Sequence, residues 1–302
     1  MGHVIAPRSP HRPHIRALHL GSKAVIGIVI LFLAVSWLAE MVTLHPRHWT
    51  IGPSPAARGW AYQDVAFKDR AGLTLRGWWI PGVNHRTVVM VHGWTSSRAE
   101  PMSKSGYLHD SGYNLLVFDL RGHGRSDGDY TTMGFKEPDD VRAAVTFAIS
   151  RDGGPVALLG YSMGAAIAIE EAATDRRVAA VVEDSGFSSL VGVVGAAFQR
   201  VTGLPPNPFD LPLLAMGGMD LGFDPAVVQP LASAARLAQP LLAIVGTADR
   251  TVPPAQGFAL YGAAAGPKQI LVVKGAGHTQ AYFAAPQLYR QTVLGFLAKS
   301  LV

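Results

Sequence analysis

The chain contains no cysteine. That excludes disulfide staples, a thiol nucleophile and thiolate metal sites, and it leaves either side of a bacterial membrane open as a compartment. Charge is also scarce, at 16% of residues against an ordinary share of about a quarter. Acidic residues are missing altogether before Glu40, whereas Arg8, Arg12, Arg16 and Lys23 all precede it. Setting those four aside leaves 22 basic residues against 21 acidic, so the formal charge of +5 belongs to the N-terminus. A near-neutral body without a basic stripe argues against a nucleic-acid partner. Gly122 and Gly124 are not followed by the Gly-Lys-Ser/Thr of a phosphate loop, and no metal-ligand spacing occurs. The chemistry is therefore expected to need no cofactor and no metal. No internal repeat or low-complexity segment is present, and 302 residues with 49% apolar content suffice for one large α/β domain plus an appendage.

The appendage is N-terminal. A tail over 1–23, rich in Pro, His and Arg, precedes an uncharged run from Ala24 to Ala39. As a helix that run covers about 24 Å, and extension to Leu44 with Lys23 snorkelling brings it to bilayer thickness. Residues 24–44 are read as a transmembrane signal-anchor helix, and the basic side orients it with the N-terminus cytoplasmic and the remainder outside. The rival is a cleaved signal peptide, releasing a secreted protein, with Ala34-Val35-Ser36 as a small-x-small cleavage site. A Pro- and Gly-rich linker follows over 45–59.

From residue 60 onward strands and helices alternate. Strands are expected at Ala61–Lys68, Leu75–Ile80, Thr87–Val91, Asn114–Asp119, Pro155–Gly160, Val178–Glu183, Leu241–Gly246 and Gln269–Val273. Helical patterns fall at 98–110, 137–151, 163–175, 254–263 and 286–300. Continuous apolar strand runs such as Val88-Val89-Met90-Val91 suit strands covered on both faces, which implies a doubly wound, mostly parallel eight-stranded α/β sheet with the first two strands as an edge hairpin. Residues 186–238 break the alternation with Gly and Pro clusters and no strand; they are read as a small helical lid over the strand ends, with a surface excursion as the alternative.

Chemistry concentrates around Gly160-Tyr161-Ser162-Met163-Gly164, a G-x-S-x-G pattern between an apolar strand run and a helix-forming run. A serine on such a turn is lifted clear of the sheet with a helix N-terminus behind it. Acyl transfer by serine also needs a base, a group that orients the base, and donors for the oxyanion. Asp249 follows the strand at 241–246, and His278 lies in Gly275-Ala276-Gly277-His278 after the last strand. His92-Gly93-Trp94 follows the strand at 87–91, so the Trp94 and Met163 backbone N–H groups are the candidate oxyanion donors. Asp184 also ends a strand and rivals Asp249. His92 is read as packing under the oxyanion loop, His123 as structural, Asp119 as fixing its following turn, and the Trp78-Trp79 pair as edge-strand packing; Trp94 is a candidate pocket wall.

These motifs, together with Asp119-Leu120-Arg121-Gly122-His123-Gly124-Arg125-Ser126-Asp127-Gly128, resemble the α/β-hydrolase superfamily over residues 60–302, most of all its anchored single-domain serine hydrolases and serine-aminopeptidase-like members. The resemblance implies a Ser162–His278–Asp249 triad acting on an ester, thioester or amide, with carboxylesterase activity foremost. Acyl transfer or peptidase action on the same triad, and a non-catalytic membrane-anchored binding protein, are the alternatives. The expected partners are a small-molecule or lipid-like acyl substrate and a membrane; no pattern specifies an oligomeric state.

Overall fold

The computed structural model describes residues 13–46 and 52–302. The first part of the basic tail (1–12) and the centre of the linker (47–51) lie outside the described residues. Helix α1 (Pro13–Leu44) opens the chain. It starts 11 residues before the apolar run because Pro13 suits the first helical position and nothing between it and Lys23 stops propagation. The apolar part, Val25–Leu44, is 20 residues long, about 30 Å as a helix, and its flank is a sleeve of exposed Val, Ile and Leu. This is one helix long and apolar enough to cross a bilayer.

The domain that follows is built on β1 (Gln63–Lys68), β2 (Thr74–Ile80), β3 (Thr87–Val91), β4 (Asn114–Phe118), β5 (Val156–Tyr161), β6 (Val178–Asp184), β7 (Leu241–Gly246) and β8 (Lys268–Val273). They form one sheet in the order β1-β2-β4-β3-β5-β6-β7-β8. β1 and β2 pair antiparallel, β2 pairs antiparallel with β4, and every pairing from β4 through β3 to β8 is parallel. The expected eight-stranded fold is therefore present. Helices α2 (Ala99–Ser103), α3 (Gly106–Asp110), α4 (Glu137–Asp152), α5 (Met163–Ala172), α6 (Leu190–Thr202), α7 (Pro206–Phe209), α8 (Leu211–Leu221), α9 (Pro230–Ala234), α10 (Pro254–Ala263), α11 (Ala281–Ala284) and α12 (Pro286–Ser300) complete it. The central strands β3, β4, β5 and β7 are buried along their whole length, as their apolar runs require. Two cores cover the two sheet faces. One gathers Val89, Leu116 and Leu158 with Ile167 of α5 and Val145 of α4. The other gathers Met90, Leu159 and Ile244 with Tyr289 and Phe296 of α12.

The helical pattern over 98–110 resolves into two short helices rather than one. Lys104 turns inward at the break and is buried, and the Ser105 hydroxyl bonds the Met102 carbonyl, so the backbone is diverted where a continuous helix was expected. The segment between β6 and β7 consists of α6–α9 and a 3₁₀ turn at Pro225–Val227. Its base is tied to itself: Leu190 N–H donates to Val228 O and Leu231 N–H to Ser188 O.

Candidate active site

Parallel strands deliver their following loops to one edge of the sheet, and the candidate residues converge there. β5 runs buried to Tyr161 and α5 begins at Met163, so Ser162 alone makes the corner, with φ +54° and ψ −118°. A non-glycine residue in that region is strained. The corner is tight enough that a Cβ on Gly160 would lie 2.2 Å from Gly164 O, and one on Gly164 2.4 Å from Val91 O. The two glycines of the motif are thus required by close backbone approach.

His278 reaches across to this corner from the loop after β8. Its Nε2 lies 2.7 Å from Ser162 Oγ and its Nδ1 2.7 Å from Asp249 Oδ2. A carboxylate only accepts, so Nδ1 carries a proton to donate and Nε2 is left to accept from the serine hydroxyl. Asp249 is itself fixed: its Oδ1 accepts from Thr251 N–H at 2.8 Å and Val252 N–H at 2.9 Å. The Asp249 side chain is almost wholly buried and that of His278 is one-quarter exposed, so the line of hydrogen bonds runs from the interior to an accessible end. All three expected residues are brought together.

Asp184, the rival acid, is fully buried and elsewhere engaged. It accepts from the Tyr289 hydroxyl at 3.0 Å and the Ser185 hydroxyl at 3.1 Å, and burial pushes its carboxyl above the usual range. Its contribution at the corner is through the backbone, where its carbonyl accepts from Ser162 N–H. His92 donates from Nδ1 to Gly93 O at 2.7 Å and accepts Leu120 N–H at Nε2, and burial lowers its basicity. It is a packed, neutral support beneath the Gly93 loop. His123 bonds the Arg121 carbonyl and is pushed down to about 4, by burial first and by His92 second. Asp119 does hold its following turn, through Arg125 N–H, and it also grips buried Arg98 through Nε and Nη2. Trp78 and Trp79 pack on the edge strands as expected, Trp78 donating to Asp64 and Trp79 edge-on to Phe147.

The two candidate oxyanion donors flank the serine. A Cβ on Gly93 would touch Ser162 Cβ at 3.2 Å, which brings the Gly93–Trp94 peptide against the corner. Met163 is the first residue of α5, where backbone N–H groups have no partner within the helix. The Trp94 side chain turns to the N-terminal helix, its indole N–H donating to Thr43 O at 2.8 Å, so its polar end is anchored to α1.

Three contributors to this architecture escaped the sequence analysis. Glu100 accepts Gly93 N–H at 3.1 Å, and buried Lys104 bridges Glu100 Oε1 and Thr279 O at 3.2 Å each. The cation and the Gly93 N–H hold Glu100 below its usual range against the opposing effect of burial. This strut joins the Gly93 loop to the His278 loop; its one signal in sequence was the i, i+4 Glu–Lys spacing, which is commonplace on helix surfaces. Ser185 accepts Thr279 N–H, a second tie on the same loop. The end of α1 is the third. A shallow groove of about 560 Å³ along β1–β2 is lined by Asp64, Arg76, Arg98 and Arg125, and by no member of the Ser162 constellation.

Comparison with known proteins agrees with this fold. The solved structure of the Pyrococcus furiosus esterase Pf2001 is similar, with 26% identity and a TM-score of 0.73 over 86% of this chain and 99% of that one. The uncharacterized protein Rv2307c of Mycobacterium tuberculosis is 30% identical over 259 residues, 83% of this chain and 85% of its own length. YfhR of Escherichia coli is 26% identical over 93% of this chain and 97% of its own. The model of the alpha/beta hydrolase family matches residues 88–292, from the strand before His92 to the helix after His278. With its sheet order, its serine corner and that match in agreement, the chain belongs to the alpha/beta hydrolase family.

Proposed function

We propose that the protein is a serine hydrolase that cleaves a carboxylic ester, and by the same chemistry a thioester or amide, through an acyl-enzyme. The observation that carries the reading is the unbroken hydrogen-bond line Ser162–His278–Asp249, ending on a strained, accessible serine. Ser162 Oγ attacks the acyl carbon as its proton passes to His278 Nε2. The negative charge that develops on the carbonyl oxygen is received by the Trp94 and Met163 N–H groups, each donor being worth about 3–4 kcal/mol of barrier. His278 then returns the proton to the departing alkoxide or amine, the C–O or C–N bond breaks, and water repeats the sequence on the acyl-serine. Asp249 keeps Nδ1 protonated throughout. α1 is read as a membrane anchor that leaves this domain outside the cytoplasm.

A fluorophosphonate probe is expected to label wild-type protein and to leave folded Ser162→Ala unlabelled. Equal labelling of the two overturns the assignment. Turnover of p-nitrophenyl esters of graded length beside peptidyl amides separates esterase from peptidase, and added alcohols or amines as acceptors reveal acyl transfer. Binding of such compounds with no turnover of any would favour a non-catalytic protein.

A further inference from the structure

Helix α1 does not end as a free tether. Its last carbonyls, which no helix can satisfy internally, are capped by the residues that flank the proposed oxyanion site. Thr43 O accepts from the Trp94 indole at 2.8 Å, and Leu44 O accepts Thr131 N–H at 2.8 Å. The Thr131 hydroxyl in turn lies 3.9 Å from Met163 Sδ. The same end of α1 buries a stripe at i, i+4 spacing, Ser36, Glu40 and Leu44, and Glu40 lies against Gly217 of α8. Gly217 is therefore packed four residues, about 6 Å, inside the end of the apolar span. If α1 spans a bilayer, α8 lies at the depth taken by interfacial helices, about 5–10 Å into the headgroup boundary.

The outward side of α8 has the composition that this depth demands. Leu211, Ala215 and Met219 are exposed at i, i+4, i+8, where a helix on a water-soluble domain carries polar residues. Leu211 is 53% exposed and Met219 73%, and Phe209 of the adjoining α7 is 42% exposed. Asp220 is the sole charge within α8.

We propose that the outer face of α8 lies in the lipid interface beside α1, so that the site opens toward the leaflet and takes a long-chain acyl ester residing in the membrane. The occupant of the apolar stripe is the bilayer, because the stripe continues the lipid-facing surface of the helix packed against it. The proposal rests on the anchor and serine hydrolase readings above and adds to them where the substrate comes from.

The absence of cysteine makes the test direct. Full-length protein carrying Leu211→Cys, Met219→Cys or, as control, Val83→Cys is labelled with an environment-sensitive fluorophore and placed in phosphatidylcholine–phosphatidylglycerol vesicles containing spin-labelled lipid. Val83 is 86% exposed and follows β2 at the opposite edge of the sheet. Quenching at 211 and 219 with none at 83 is the expected result. Equal emission at all three overturns the proposal and leaves the stripe to a protein partner. A second arm compares wild type with the double variant Leu211→Glu, Met219→Glu. Hydrolysis of a vesicle-embedded long-chain ester is expected to fall at least about tenfold while hydrolysis of p-nitrophenyl acetate changes less than about twofold. Equal loss on both substrates, or on neither, overturns the membrane route. Loss of fluorophosphonate labelling in wild type would fail the hydrolase reading alone, since the quenching arm needs no turnover.

Discussion

Replacing Asp249 by Asn tests the orienting role with one atom changed. Asp249 uses both oxygens: Oδ2 faces His278 Nδ1, and Oδ1 faces the N–H groups of Thr251 and Val252. An asparagine must present its single carbonyl oxygen to one side. Two backbone donors compete for it against one ring nitrogen, so the amide nitrogen is turned toward His278. That nitrogen can only donate, which forces the imidazole to carry its proton on Nε2, where it can no longer receive the proton of Ser162. Recovering the productive tautomer requires flipping the amide and opposing an NH₂ group to two N–H donors. Each buried donor left unpaired costs about 1–3 kcal/mol, so the flip costs about 2–6 kcal/mol. At about 1.4 kcal/mol per decade, this predicts a fall in kcat between about 30-fold and 10⁴-fold, a range whose upper end matches the effect of the same substitution in the chymotrypsin-type triad. Turnover of a short p-nitrophenyl ester, with the melting temperature as control for folding, measures it. A loss below tenfold in a variant that melts like wild type would refute the argument. So would an equal or larger loss of kcat in folded Asp184→Asn, whose carboxylate faces Tyr289 and Ser185 instead.

Gly164→Ala places a methyl 2.4 Å from Val91 O and 2.5 Å from His92 O, both backbone atoms that cannot swing aside. A loss of about 3 kcal/mol, a drop in Tm of about 6–12 °C, is expected by thermal melt, and an unchanged Tm would show the corner to be slack. Lys104→Met removes the cation from the strut between Gly93 and Thr279; about 3–5 kcal/mol of stability is lost, and kcat falls with little change in KM because the pair aligns loops without touching substrate. A rise in KM at constant kcat would contradict that positioning role. Glu183 is fully buried, with Gly186 N–H bonded to one oxygen, and burial raises its carboxyl to about 8. Between about 4.5 and 8 the unfolded chain gives up this proton and the folded chain keeps it, so stability falls as pH rises through that window, by about 5 kcal/mol in total. The gap between urea midpoints at pH 5 and pH 8 is therefore expected to narrow in Glu183→Gln, the remainder coming from Glu170, Glu171 and Asp140, whose carboxyls burial also raises; an unchanged gap would place the titration elsewhere.

The centre of the sheet was legible because β3, β4, β5 and β7 are buried on both faces, and burial on both faces writes itself as an unbroken apolar run. Strand ends were less so, since they depend on a partner. β1 begins at Gln63 rather than Ala61 because Gln63 faces Trp79; two residues earlier the partner would be Pro81, which has no N–H for the ladder. The three residues of the candidate site were legible because parallel topology sends every loop after a strand to one edge. The choice between Asp249 and Asp184 was not decided by that rule, as both end neighbouring strands at that edge. The two differ in direction: Asp184 turns into the core toward Tyr289, while two backbone N–H groups of the turn after β7 hold Asp249 facing His278, which favours Asp249 as the partner of the base.

The strut and the end of α1 were hidden for a different reason. Each is a contact between segments whose local patterns already had a sufficient explanation. The i, i+4 spacing of Glu100 and Lys104 is that of an ordinary helix-surface pair, and only burial by the loop carrying Thr279, 175 residues on from Lys104, makes them a brace. An apolar run of bilayer length explains α1 without reference to anything downstream. Yet Ser36 and Glu40 are the polar residues that such a run does not need, and with Leu44 they share one face of the helix. A carboxylate one turn from the end of a membrane span costs less if protein rather than lipid covers it, and here Gly217 of α8 does so. The departure from uniform apolarity was the trace of a docking face. It also bears on the signal-peptide alternative: cleavage after Ser36 would leave Glu40, Thr43 and Leu44 attached to the domain, so the caps at Trp94 and Thr131 would survive while the lipid-spanning part of the helix was lost. A protein released in that way would keep activity on soluble esters and lose it on vesicle-embedded ones, which is the separation expected if the last turns of α1 belong to the active-site wall and the preceding turns to the membrane.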